Sequence, residues 1–120
     1  MNAPERFRSF LLDDGEPRMT YAPDQRIQSA GTFSINKEDH TIGNLLRMQI
    51  LRDTNCRFVG YMLPHPLVHV CNVKVETEKE ATPVAVFGQA VGDLLGEVEL
   101  LDRGFRDECA RAREEADVSK

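Results

Sequence analysis

The sequence lacks the features that mark membrane-spanning and disulfide-stapled proteins. No apolar run approaches the roughly 20 residues that a transmembrane helix needs, and the first ten residues hold no apolar stretch of signal-peptide length. The three cysteines lie far apart without a CxxC pair, so neither a disulfide framework nor a common zinc spacing is present. These absences predict a soluble intracellular protein in a reducing compartment.

The chain also lacks an excess of basic residues. The 120 residues include 15 Lys and Arg against 20 Asp and Glu, a formal net charge of −5. A surface that neutralises a phosphate backbone needs an excess of clustered basic residues, so we expect no direct sequence-specific contact with nucleic acid. What the chain does contain is 41% hydrophobic residues with no obvious linker or internal repeat, which is typical of one compact domain.

The first two thirds of the chain combine strand and turn patterns. A short extended stretch at residues 18–21 precedes residues 32–35, where polar and apolar residues alternate as in a half-buried strand. Residues 57–63 and 68–77 predict two more strands, separated by a Pro-His-Pro segment that cannot supply a continuous ladder. We predict that these two strands pair antiparallel and leave one face of the sheet in water.

A short helix is predicted over residues 41–52, with Asp39 or Thr41 capping its first turn. Apolar residues extend over more than half of its circumference. A helix of that kind is ordinarily buried on two sides, so a single sheet cannot cover it. The pattern therefore implies a second partner surface.

Thr82 and Pro83 begin the most regular pattern of the chain, because threonine can cap a helix and proline suits its first position. The apolar residues that follow recur mostly three and four apart: Val84, Phe87, Val91, Leu94, Leu95, Val98, Leu101 and Phe105. A helix over residues 83–112 would be about 45 Å long, against roughly 35 Å for a domain of this size. Its outer part is predicted to extend beyond the fold, and an exposed apolar stripe there indicates an interface.

Two linked motifs stand in the middle of the chain. The first is Ile35-Asn36-Lys37-Glu38-Asp39-His40-Thr41-Ile42-Gly43-Asn44-Leu45-Leu46. The second consists of Val59-Gly60-Tyr61 and Pro64-His65-Pro66-Leu67. Together these motifs resemble a known family, the small alpha-like subunits of RNA polymerases. The opening, with Met1-Asn2-Ala3-Pro4, resembles the polymerase II version more than the counterpart shared by polymerases I and III, and the resemblance covers residues 1–105.

The resemblance implies an α+β fold of two layers, an antiparallel sheet that carries a short helix and a long C-terminal helix. The same fold is expected of archaeal subunit L and of the dimerising domain of the bacterial alpha subunit. We predict a single alpha-like dimerisation domain over residues 1–112 and a charged tail over residues 113–120 that frays at its end. Glycines at 88, 92, 96 and 104 depart from the helix-favouring residues expected of the family, so packing must hold that helix.

By the same resemblance the chain is a non-catalytic core subunit of nuclear RNA polymerase II. It would form a heterodimer with the larger alpha-like subunit, the third subunit, and through it reach the second-largest catalytic subunit and small assembly subunits. The catalytic metal and template channel belong to other chains, so no catalytic residue, cofactor, metal or membrane contact is expected here. The predicted dimer interface lies on both helices and consists of Ile42, Leu45, Leu46, Ile50, Val91, Leu94, Leu95, Val98, Leu101 and Phe105.

Two other interpretations stay open. A freestanding homodimeric α+β enzyme would use His40, His65 and Asp39 as acid–base groups around a small-molecule pocket, although no nucleophile with a matching base is evident. A stand-alone transcription adaptor would bind nucleic acid weakly, but the arginines near the carboxyl end alternate with acidic residues. A zinc site built from His65, His69 and Cys71 lacks a fourth ligand.

Overall fold

The structure is a computed structural model that describes residues 6–119. The opening Met1-Asn2-Ala3-Pro4 and the last residue of the tail, Lys120, lie outside this range. Within it, a 3-10 helix at Arg6–Ser9 precedes four strands and two helices. In chain order these are β1 (Met19–Pro23), β2 (Ala30–Asn36), α1 (His40–Leu51), β3 (Cys56–Met62), β4 (Val70–Thr77) and α2 (Pro83–Val118).

The four strands form one antiparallel sheet in the order β1-β2-β4-β3. The predicted α+β class, and the antiparallel pairing of the two strands around the Pro-His-Pro segment, are therefore confirmed. Along β4 every second residue is buried, from Cys71 to Thr77, while the residues between them are half-exposed. This alternation follows from the two-residue period of a strand and leaves one face of the sheet for the helices.

The inner face of the sheet packs against α1 and the first turns of α2. Val73 and Val75 of β4 are fully buried, as is Ile50 of α1. Phe33 of β2 stacks on Phe87 of α2 with ring centroids 4.0 Å apart and an interplanar angle of 16°. Aromatic pairs add roughly 0.5–1.5 kcal/mol beyond the burial of their area, so this stack helps to fix the start of α2 on the sheet.

Asp39 begins α1 in the way the sequence predicts. Its backbone is extended, and its Oδ1 accepts a hydrogen bond of 2.9 Å from the N–H of Thr41. This bond satisfies one of the N–H groups that a first helical turn leaves without a partner. The Asp39 carboxylate therefore has a structural role at the helix terminus.

Gly43 allows α1 to lie close to the sheet. A Cβ atom at this position would come within 2.5 Å of the Tyr61 ring and 2.8 Å of Cys71 Sγ. The Tyr61 hydroxyl lies 3.1 Å from Nδ1 of His40, which holds the ring in place, and Cys71 is fully buried. Neither group can move away cheaply, so only glycine fits between the helix and β3 and β4.

We expect Gly43→Ala to lower the free energy of unfolding by about 1–3 kcal/mol, because overpacking strain exceeds the roughly 1 kcal/mol gained in helix propensity. Gly88→Ala is the matched control, since it is also a helical glycine and a Cβ there would meet no atom within 4 Å. That control should stabilise the chain by up to about 1 kcal/mol. Urea unfolding of the full-length protein measures both. Equal stabilisation by the two substitutions would contradict the close approach at Gly43.

The second helix continues past the predicted end at residue 112 and reaches Val118. Arg111 forms ion pairs with Glu108 at 2.8 Å and with Glu115 at 3.2 Å, three and four residues away. Such pairs each contribute a few tenths of a kcal/mol to a helix, about 0.2–0.5. The charged residues therefore support the helix where the sequence pattern predicts a fraying tail. The domain boundary at residue 112 stays a prediction.

The contacts of the described residues divide into two units, one up to Ala90 and one from Val91 onward. The sheet, α1 and the first turns of α2 belong to the former, and the latter is the remaining length of α2. Neither α1 nor α2 combines the length and apolarity that a membrane span requires.

Candidate protein-docking surfaces

Helix α1 has apolar side chains on two sides. Leu46 and Ile50 are 5% and 0% exposed and belong to the core. Leu45, Met48 and Leu51 are 44%, 48% and 55% exposed, and their spacing of three residues places them on one side of the helix. We call these three residues the α1 patch. Its exposure accounts for the wide apolar circumference that the sequence shows.

The predicted interface requires a correction on this helix. The sequence pattern predicts Leu46 and Ile50 in the interface, but the chain's own sheet covers them, so they are not accessible to another protein. Met48 and Leu51 are absent from the predicted interface, yet they are exposed. Ile42 is half-buried between the two sides. The three-residue spacing of the α1 patch was the signal that could have identified its members.

The outer length of α2 carries a second apolar surface. Four of its large residues are between 57% and 74% exposed, and Val91 and Leu94 at its start are half-buried. Burying a large apolar side chain fully contributes about 1.5–3 kcal/mol, so their exposure forfeits several kcal/mol. We call this surface the outer stripe, and it consists of Val91, Leu94, Leu95, Val98, Leu101 and Phe105. Exposed apolar patches are typical of protein interfaces, so the outer stripe is a candidate docking surface.

The histidines predicted for the enzyme alternative do not converge. His40 and Asp39 line a groove of about 620 Å³, but His65 is not among the residues that form it. Nδ1 of His65 instead accepts a hydrogen bond of 3.1 Å from the N–H of Leu67 in its own turn. The carboxylate of Asp39 is engaged in capping α1. His65 therefore lies apart from the groove that His40 and Asp39 share.

The cysteine and histidine residues also do not gather into a metal site. Burial raises the pKa of the Cys71 thiol, and the nearby carboxylates of Glu38 and Asp39 raise it further. Burial and the two neighbouring carboxylates therefore both disfavour the thiolate form of Cys71. No cluster of three or more potential metal-ligating side chains occurs within residues 6–119.

Comparison with known proteins identifies relatives over nearly the whole chain. The family model described as the RNA polymerase Rpb3/Rpb11 dimerisation domain matches residues 30–103. The DNA-directed RNA polymerase II subunit rpb11 of Dictyostelium discoideum is 40% identical over 117 residues, which is 98% of each chain. The RPB11 subunit of Schizosaccharomyces pombe is 36% identical and the alignment covers 90% of this chain and 87% of that one.

A solved structure is similar in fold. RNA polymerase subunit L of the archaeon Thermoplasma acidophilum superposes with a TM-score of 0.64 at 22% identity, covering 79% of this chain and 93% of that one. The matched family region includes α1 and most of the outer stripe. The predicted resemblance is confirmed, and the chain belongs to the family of the RNA polymerase Rpb3/Rpb11 dimerisation domain.

Proposed function

We propose that the chain is a structural subunit of DNA-directed RNA polymerase II that pairs with a larger, Rpb3-like subunit. The observation that carries this proposal is the outer stripe of α2, whose large apolar residues are exposed in the chain alone. Because the chain belongs to a dimerisation family, a partner subunit is the protein expected to cover the outer stripe. The relatives that match most of the chain are named as polymerase II subunits, which supports the polymerase II assignment and a nuclear location.

The α1 patch and the outer stripe are the two surfaces that we assign to the larger subunit. Leu46 and Ile50 support this surface indirectly, because they are buried, anchor α1 on the sheet and so orient the α1 patch on the opposite side of the helix. Burying the outer stripe alone would offset the several kcal/mol that its exposure costs. The single dimerisation domain over residues 1–112 and the tail beyond it belong to the same proposal.

The heterodimer would then be the unit that binds the second-largest catalytic subunit and the small assembly subunits. The role of this chain is structural, and nucleotide addition takes place on other subunits. The acidic balance of the chain supports a role without direct contact to nucleic acid.

Affinity purification of the full-length chain at native expression, followed by identification of its stoichiometric partners, tests this proposal. We expect the larger alpha-like subunit and the polymerase II core subunits in equal amounts. Recovery with polymerase I or III subunits would contradict the assignment to polymerase II. Recovery of the chain as a lone monomer would contradict heterodimer formation itself.

A further inference from the structure

The outer stripe has the spacing of a helix-pairing seam. Val91, Leu94, Val98, Leu101 and Phe105 alternate steps of three and four residues, which is the heptad pattern of two helices packed side by side. The next position of the pattern is Glu108, which pairs with Arg111 at 2.8 Å. A carboxylate in that position ends the apolar seam, so the length available for helix pairing stops at Phe105.

Acidic residues border this seam on both sides. At 100° per residue, Glu97 and Asp102 lie about 70° to either side of the centre of the seam, the positions that face a partner helix across the interface. Both side chains are exposed. Asp102 also forms an ion pair of 3.1 Å with Arg106, which lies farther from the seam.

The whole segment that carries the seam is negative. Residues 91–105 include four acidic side chains and one basic side chain, a net charge of −3, and including Arg106 leaves the segment negative. This local imbalance is strong for so short a stretch, given that the entire chain has a net charge of −5.

Pairing with a second copy of the chain would bring these acidic residues together. In a parallel pair, Glu97 of one copy would face Asp102 of the other, and symmetry would repeat this contact. In an antiparallel pair like borders meet, and both borders are acidic. Like charges placed opposite each other suppress a wrong pairing, even where the apolar residues would fit.

We propose that Glu97 and Asp102 select a partner helix whose apolar stripe is bordered by Lys or Arg, and that they disfavour pairing with a second copy of this chain. The inference rests on the proposed function, because the helix in question belongs to the larger alpha-like subunit. It adds the chemistry by which that subunit is recognised: apolar contact supplies affinity, and the acidic borders supply the choice of partner and speed its capture.

A charge-reversed double variant, Glu97→Lys with Asp102→Lys, tests the attraction. Its matched control is Asp107→Lys with Glu114→Lys, which changes the charge of the same helix equally on the side away from the seam. Association with the purified larger subunit is measured at about 0.05 M and about 0.5 M salt, since screening separates charge effects from packing effects. We expect about tenfold slower association of the test variant at low salt, and a much smaller difference at high salt.

A neutral double variant, Glu97→Gln with Asp102→Asn, tests the discrimination against self-pairing. Sedimentation of the full-length chain should show stronger self-association than in the wild type, with a dimer Kd several-fold lower. The proposal would be overturned if the charge-reversed variant associated as fast as its control and the neutral variant self-associated no more than the wild type. The heterodimer itself would still stand. Binding of the larger subunit by the charge-reversed variant at high salt would show that this variant is folded. Failure of the wild type to bind the larger subunit would refute the proposed function instead.

Discussion

Leu101→Asp should abolish capture of the larger alpha-like subunit and leave the fold of residues 6–90 intact. Leu101 is the most exposed member of the outer stripe, so the substitution removes no contact of the chain's own core. In the heterodimer the new carboxylate would lie in an apolar interface without a partner. We expect a loss of about 3–5 kcal/mol, at least a hundredfold in Kd. Leu94→Asp should act in the same direction.

Leu100→Asp is the control for this experiment. Leu100 is the neighbouring residue on the same helix and is also exposed, but the helical rotation places it about 130° from the centre of the seam. It should bind the larger subunit as the wild type does. Co-purification in pairs of tagged and untagged chains, with circular dichroism of each variant, measures binding and folding separately. Equal binding by Leu101→Asp and wild type would refute the assignment of the outer stripe to the interface.

Ile50→Ala should destabilise the chain by about 2–5 kcal/mol, because it removes a fully buried side chain and leaves a cavity between α1 and the sheet. Domains of this size are stable by about 5–15 kcal/mol, so the loss is a large part of the total. Met48 lies two residues away on the α1 patch. Met48→Ala should change the free energy of unfolding by less than about 1 kcal/mol, because the Met48 side chain is half-exposed in the chain alone.

The same two variants should reverse their order in binding. Met48→Ala should weaken association with the larger subunit, whereas folded Ile50→Ala should bind almost as the wild type does. Urea unfolding of the full-length chain and titration with the larger subunit give the two quantities. A stability loss at Met48 as large as that at Ile50 would show that the division of α1 into an inner side and an α1 patch is wrong.

Local patterns predicted most elements because local rules govern them. The cap at Asp39 depends only on a short polar side chain before an apolar repeat, and the structure has the expected bond to the N–H of Thr41. The strand alternation around Val73 follows from the two-residue period. The end of α2 was predicted too early, because interleaved charges indicate both a solvated tail and a helix with internal ion pairs, and Arg111 forms those pairs.

Motifs and periodicity are properties of residues near one another in the chain, and they were enough to predict the family, the order of the elements and the outer stripe. Which side of α1 belongs to the core depends instead on packing against residues far away in the chain. Leu46 and Leu45 are equally apolar, and their burial differs because distant strands cover one and not the other. The fit of Gly43 against Tyr61 and Cys71 likewise depends on atoms that only the folded chain brings together.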